Sequence, residues 1–520
     1  MNDIDSDEWR TYLSQLKPRK AKRPKKNPLL ESVSEYDLSA RQKELLSFLK
    51  RSIYYDIYKF LREPMSLDEF CWKEMHHHCL FWRENETVIV IGDEAYKRHT
   101  ERNVCFELYH AGKRRKVAGC IFGDDDEKIA ETLAFFLSLK DGGKNGARLE
   151  IDFNMSTSSF CMSALQPEHL AQILDANPTR QYMLQAGIWT PEQTAILGSR
   201  PYPLHLTLTR SGFGEGSGFR FKDGGAAFVD ALAGRQSSFG TLIFDFHCDR
   251  ETVPLTLPSV KRLVEVGTFD KLSMGIWSRS CVLSPFSAKT NSLLYVIDEM
   301  FIEPADFSAL DIVAKDLTIN FVIRRRVRDY GELLISFLTR VAQLGHFEKI
   351  YFSVQSCKWF KFDKIAPVAA ALVNVIEGNP NLKHLDLSNT FMPWNWGPHL
   401  ENVFKALEEH KMLRTFAVPR YPPEDPTYSW LEQLLSRNRM ISVVNRSGKK
   451  CLNGSSIDRL YLFNQFFHGS ESLVKESPTL RPLLVPTALI ESVCMKHTTL
   501  LLSNHADKLC EFLNDLDVDD

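Results

Sequence analysis

Asp245, His247 and Asp249 fall at every second position of Asp245-Phe246-His247-Cys248-Asp249, so on a β-strand all three share one face. A histidine between two carboxylates is the material of an acid–base pair. Such chemistry also needs a nucleophile or a metal and a water-excluding pocket, and with neither in sight the segment reads as an ordinary polar strand face. Cys71-Trp72-Lys73-Glu74-Met75-His76-His77-His78-Cys79 gathers metal-ligand types. On a helix only His76 and Cys79 are neighbours, and Cys71 lies about 12 Å from Cys79 at ~1.5 Å rise per residue, too far for one tetrahedral zinc. The stretch is read as a helix with partly buried aromatic, Cys and His side chains.

Phosphate chemistry would need glycine-rich loops or clustered cations. Gly212-Phe213-Gly214-Glu215-Gly216-Ser217-Gly218 follows the strand Leu204 to Leu208 and precedes a helix, where phosphate loops occur. It lacks both the G-K-[ST] ending and a G-x-G-x-x-G register, and reads as a flexible insertion. Arg324-Arg325-Arg326-Val327-Arg328 and Lys113-Arg114-Arg115-Lys116 could meet phosphate or an acidic partner, but both read as exposed loop charge. No catalytic residue, cofactor or metal is therefore expected.

The elements that would position any site come from a chain of 520 residues, 44% hydrophobic and 25% charged, large enough for several domains or a repeat array. No apolar run reaches the ~18 to 20 residues of a membrane helix and Met1 to Arg10 is acidic, so an intracellular protein, cytoplasmic or nuclear, without membrane association is expected. Eleven scattered cysteines without Cys-x-x-Cys suggest reduced thiols, Cys105 and Cys120 among them in apolar surroundings. Seven cations lie between Lys17 and Lys26, and taking them from the net charge of −2 leaves −9 on the remainder. Nucleic-acid contact is thus expected only through this tail. Its Lys22-Arg23-Pro24-Lys25-Lys26 run resembles a nuclear localisation signal and is equally read as a solvated basic tail.

Residues 1–40 are too polar to offset the entropy of ordering and are expected to be a disordered basic tail. Residues 41–145 read as an N-terminal flank. A helix is predicted from Ala40 to Arg62, then antiparallel strands over Thr87 to Ile91, Val104 to Tyr109 and Val117 to Phe122, then an amphipathic helix from Lys128 to Leu139. Residues 146–448 alternate short strands and amphipathic helices. The clearest strand, Leu382-Lys383-His384-Leu385-Asp386-Leu387-Ser388-Asn389-Thr390, has apolar residues first, fourth and sixth. The spacing returns at Phe239-Leu242-Phe244, Phe269-Leu272-Met274, Phe347-Ile350-Phe352 and Leu413-Phe416-Val418, with weaker copies near Asn291, Ala314 and Ile441. Starts at 239, 269, 291, 314, 347, 382, 413 and 441 give steps of 22 to 35 residues with a mean near 29. Between them, stripes such as Leu334, Phe337, Leu338, Val341 and Leu400, Val403, Phe404, Leu407 predict one helix per unit. The exits Asn177-Pro178 and Asn379-Pro380 look alike, with asparagine suited to a left-handed cap. Strands that alternate, without a phosphate loop, set this apart from a doubly wound sheet.

The 382–390 segment resembles the leucine-rich repeat consensus L-x-x-L-x-L-x-x-N/C, with Thr390 where the family usually has Asn. A helix in each unit and the period near 29 make the resemblance closest to the ribonuclease-inhibitor type. It covers roughly 300 residues. The resemblance implies an α/β solenoid, with a parallel sheet on the concave face and helices on the convex face. Residues 449–520, with helices expected over Ile457 to Phe467, Pro486 to Met495 and His505 to Leu513, would form its helical cap. It also implies a non-enzymatic module or scaffold that binds a protein partner on the concave face, leaving the oligomeric state open. The outward positions are Ile243, Asp245, Ser273, Tyr351, Ser353, His384, Asp386, Ser388, Thr415 and Ala417, beside the aromatic loop holding Trp394 and Trp396. Partner binding is expected at Asp245, Ser273, Tyr351, Ser353, His384, Asp386, Ser388, Trp394 and Trp396. The rival readings are a substrate-recognition subunit of a ubiquitin ligase-type complex and a hydrolase or nucleotide-dependent regulator.

Overall fold

The computed structural model describes residues 29–49, 55–70, 78–92, 102–109, 116–141, 148–152, 160–185, 187–209, 218–246, 254–267, 269–275, 279–323, 330–356, 365–388, 399–476, 481–491, 495–508 and 510. The chain is mixed α/β and divides into two compact units, Met1–Gln193 with Arg210–Arg220, and Thr194–Thr209 with Phe221–Asp520. No helix among the described residues is long and apolar enough to cross a membrane.

In the first unit, β1 (Leu30–Ser32), β2 (Tyr55–Phe60), β3 (His78–Trp82), β4 (Val88–Ile91), β5 (Asn103–Tyr109), β6 (Lys116–Phe122), β7 (Arg148–Asp152) and β8 (Gln181–Leu184) pair in the order 1-2-3-4-6-5-7-8. The β2–β3 and β7–β8 pairs are parallel and the others antiparallel. The three antiparallel strands read from the sequence are thus β4, β5 and β6. Both faces of this sheet are buried. Leu80, Val90, Cys105 and Cys120 form one core with Ile57 and Leu38, while Phe81, Phe106, Phe70 and Phe136 stack on the other side. Cys105 and Cys120 are free thiols in direct cross-strand register.

The helix predicted from Ala40 to Arg62 is corrected here. α1 runs only over Ala40–Leu49, and Tyr55–Phe60 is a strand. The aromatic and β-branched residues of Tyr-Asp-Ile-Tyr-Lys-Phe fit a pleated surface, and the slot between β1 and β3 satisfies their backbone groups. Likewise Cys79, placed on a helix from its spacing, sits in β3 with no solvent exposure. α2 (Asp126–Leu137) follows its predicted stripe, with Ile129, Leu133, Phe136 and Leu137 buried and the Asp125 carboxylate accepting from Glu127 N. α3 (Pro167–Ala176) connects β7 to β8. Because β7 pairs antiparallel with β5, the strand at Arg148–Asp152 belongs with the first unit, and the uninterrupted parallel run opens only at Leu204.

The second unit holds β9 (Leu204–Thr209), β10 (Gly240–Asp245), β11 (Phe269–Met274), β12 (Thr290–Asp298), β13 (Asp316–Ile323), β14 (Lys349–Ser356), β15 (His384–Asp386), β16 (Thr415–Ala417) and β17 (Ser442–Val444). Each pairs parallel with the next in chain order. Their register sets Leu206, Leu242, Leu272, Leu293, Leu317, Ile350, Leu385, Phe416 and Val443 in one continuous row. Every member is at most 2% exposed. A fully buried side chain of this size contributes about 1.5–3 kcal/mol, so the row is the main hydrophobic seam of the unit.

Helices cover the seam. α4 (Ala226–Ala233) packs on α5 (Leu257–Glu265). Farther along, α6 (Tyr330–Leu344), α7 (Ile365–Gly378), α8 (His399–Glu408), α9 (Ser429–Arg437) and α10 (Ser456–Glu476) each pack on the next. Phe337 of α6 meets Phe321 at 5.2 Å, and Phe404 of α8 meets Phe416 at 5.7 Å. The expectation of a helix in every unit is corrected. Between β11 and β12, and between β12 and β13, the described residues hold only short 3-10 turns, at Ser284–Ser287, Glu299–Phe301 and Pro304–Phe307. These are the two shortest steps of the repeat, and little chain is left for a return helix once the strands have been built. Phe286 and Phe307 from these turns fill the helix layer against Phe337 instead.

The helix-exit asparagines are not left-handed caps, as their sequence context suggests. Asn177 has φ −138°, and Asn379 is not among the positive-φ residues. Their amides reach back to the preceding helix exit. Asn379 Nδ2 donates to Val375 O (2.8 Å) and Val341 O (3.4 Å), and Oδ1 accepts from Phe347 N (3.1 Å). Asn438 donates to Leu407 O and His410 O, both at 2.9 Å. In the first unit Asn177 donates to Leu139 O at 2.9 Å and accepts from Asp141 N at 2.9 Å. One device therefore ties successive helices in both units.

At the far end, α10 lies on α9, and the Tyr461 hydroxyl donates to Val443 O (3.2 Å) while accepting from Val443 N (3.0 Å). This covers the last strand. α11 (Arg481–Glu491) and α12 (Met495–Asn504) follow, displaced from the spans Pro486–Met495 and His505–Leu513. Pro486 sits inside α11.

Candidate functional site

Residues that alternate with the buried row point to the sheet face away from the helices. There the register brings together side chains of β13, β14 and β15. Thr318, Tyr351 and Asp386 share one row, Asp316, Lys349 and His384 the row before it, and Asn320 and Ser353 the row after. The sequence-predicted residues Tyr351, Ser353, His384 and Asp386 thus form one patch, whereas Ser388, only 6% exposed, is corrected from a surface contact to a buried partner of Asp386. Asp245 and Ser273 lie on the same face four and three strands away, about 19 and 14 Å at ~4.8 Å per strand. Ser273 is only 6% exposed, so it is corrected from a surface contact to a core position.

Within the patch the Tyr351 and His384 rings lie 4.7 Å apart. Lys349 Nζ is neutralised by Asp316 at 2.6 Å. Asp386 accepts from Ser388 N at 2.7 Å, and its other oxygen is 3.9 Å from His384 Nε2. Burial opposes charge on Asp386, but the His384 imidazole and the Ser388 groups outweigh it and hold the carboxyl below its ordinary value. Burial, and then Asp386, push the Tyr351 hydroxyl above its ordinary value, so it remains a donor at neutral pH.

Part of the hydrogen-bonding capacity of this face is unused among the described residues. The side chains of Thr318, Tyr351 and Ser353 make no hydrogen bond to the described residues. Asn320 Oδ1 is buried, and no described group donates to it. An unsatisfied buried acceptor costs about 1–3 kcal/mol, a cost that a partner's donor would remove. Thr318 and Asn320 were missed in the sequence because their unit opens on the small Ala314 rather than on a large apolar residue. Their signal was the register with Tyr351 and Ser353.

His384 Nε2 makes no hydrogen bond to the described residues, and the Asp386 carboxylate lies 3.9 Å from it. Burial pushes the Cys79 thiol up to about 12, far from a metal-binding thiolate. No group of three His, Cys, Asp or Glu among the described residues could hold a metal ion. Trp394, Trp396, His247, Asp249, the 212–217 glycine stretch, Arg324 to Arg328, Lys113 to Arg115, Cys71 to His77 and the basic residues Lys22, Arg23, Lys25 and Lys26 lie outside the described residues. No protein-family model matches the chain, and comparison with curated proteins finds no match.

Proposed function

We propose that the second unit is a leucine-rich repeat solenoid of the ribonuclease-inhibitor type, and that the chain is a non-enzymatic interaction protein. In this reading the face around Tyr351 and Asp386 binds a protein partner. Parallel strands in chain order, the unbroken aliphatic row and the helix layer on one side support the repeat reading. The observation that carries the binding reading is the set of unspent polar groups on the open face, with the buried Asn320 carbonyl at its centre. The Tyr351 ring adds a residue type enriched among interface hot spots.

The test compares proteins captured by the full-length wild type with those captured by a Tyr351→Ala/Asp386→Ala double variant, using Lys261→Ala on α5 as control. Loss of a hot spot weakens binding by roughly 2 kcal/mol, about 30-fold. The expected result is a set of proteins held by the wild type and by Lys261→Ala but lost from the double variant. If every captured protein survives the double change, the sheet face is not the binding surface.

A further inference from the structure

At the turns that lead into β10 to β13, the second unit carries a cleft of about 440 Å³. That volume is within the ~300–1,000 Å³ of small-ligand sites. Its hydroxyls are already engaged: Ser237 Oγ donates to Pro201 O at 3.0 Å, and Thr290 Oγ1 donates to backbone carbonyls of Ser292 (3.1 Å) and Asp270 (3.3 Å). The side-chain amides of Gln236 and Asn291 and the Lys289 ammonium are not hydrogen-bonded or ion-paired to any described residue. Lys315 is 3.5 Å from Glu348, which already takes Lys383 at 2.6 Å. Farther along the same edge Lys349 is matched by Asp316 and Lys383 by Glu348, each at 2.6 Å. The cleft is lined by Gln236, Asn291, Lys289 and Lys315, whose side chains carry N–H donors, and by one carboxylate, Asp270.

We propose that this cleft binds an oxyanion, a phosphate or carboxylate group, with Lys289 and Lys315 as charged donors and Gln236 and Asn291 as neutral ones. Charged N–H donors from two successive turns suit an oxyanion because each bond to it is charge-assisted. The site lies at the strand ends and is independent of the reading of the Tyr351 face.

Equilibrium dialysis of the full-length protein against labelled inorganic phosphate, at constant ionic strength, tests it. The wild type and Lys261→Ala are expected to bind saturably, Lys289→Ala/Lys315→Ala about tenfold more weakly, and Asp270→Asn more tightly. Competition by phosphoserine but not glutarate would identify a phosphate ester as the occupant, and the reverse a carboxylate. Unsaturable retention by the wild type, or equal binding by wild type and the double variant, overturns the proposal.

Discussion

Leu385→Ala is expected to destabilise the second unit by about 2–5 kcal/mol, against a total stability of about 5–15 kcal/mol for a typical protein. Leu385 has no solvent exposure and lies in register between Ile350 and Phe416. Truncation removes apolar contacts and leaves a cavity that the strands on either side, each fixed by its own neighbour, cannot close. Thr415→Ala is the matched control, because Thr415 pairs with His384 one position away and faces the other side of the sheet. It should shift stability by less than about 0.5 kcal/mol. Urea denaturation followed by circular dichroism reads the difference. Similar midpoints for the two variants would mean that the aliphatic row is not the seam holding the sheet to its helices.

Asn379→Leu should be nearly as costly, for a different reason. The substitution keeps the number and branching of side-chain heavy atoms, removes the Nδ2 donor to Val341 O and Val375 O, and leaves the buried Phe347 N–H without its acceptor. Each buried group stranded in this way costs about 1–3 kcal/mol. The Phe347 amide is the diagnostic. Its hydrogen exchange should accelerate in the variant while amides in β17 remain as protected as in the wild type. Unchanged exchange at Phe347 would show that the asparagine bridge does not couple one unit to the next.

Much of the candidate site could be read from the sequence because a strand places alternate residues on opposite faces. Once Leu382, Leu385 and Leu387 were assigned inward, His384 and Asp386 had to face outward. The same logic placed Tyr351 and Ser353. It could not set how many strands separate Asp245 from Tyr351, nor show that Ser273 is covered, because both depend on neighbours distant in the chain. Asn320 escaped notice since its unit keeps the spacing at Ala314, Leu317 and Ile319 but opens on a small residue rather than a large apolar one.

The sequence by itself determined the period, the inward rows and the helical stripes of α6, α7 and α8. These are local properties, written in the 3.6- and 2-residue spacing of apolar side chains. Tertiary structure alone decided four things. Tyr55–Phe60 became a strand because flanking strands offered hydrogen bonds. Arg148–Asp152 joined the first sheet by pairing with β5. Two units gave up their helices where the step between strands was too short. Asn177, Asn379 and Asn438 turned their amides toward the preceding helix exit. The missing helices follow from the length of chain between strands, and the other three outcomes turn on a backbone group finding a partner far away in sequence, a choice that no local pattern encodes.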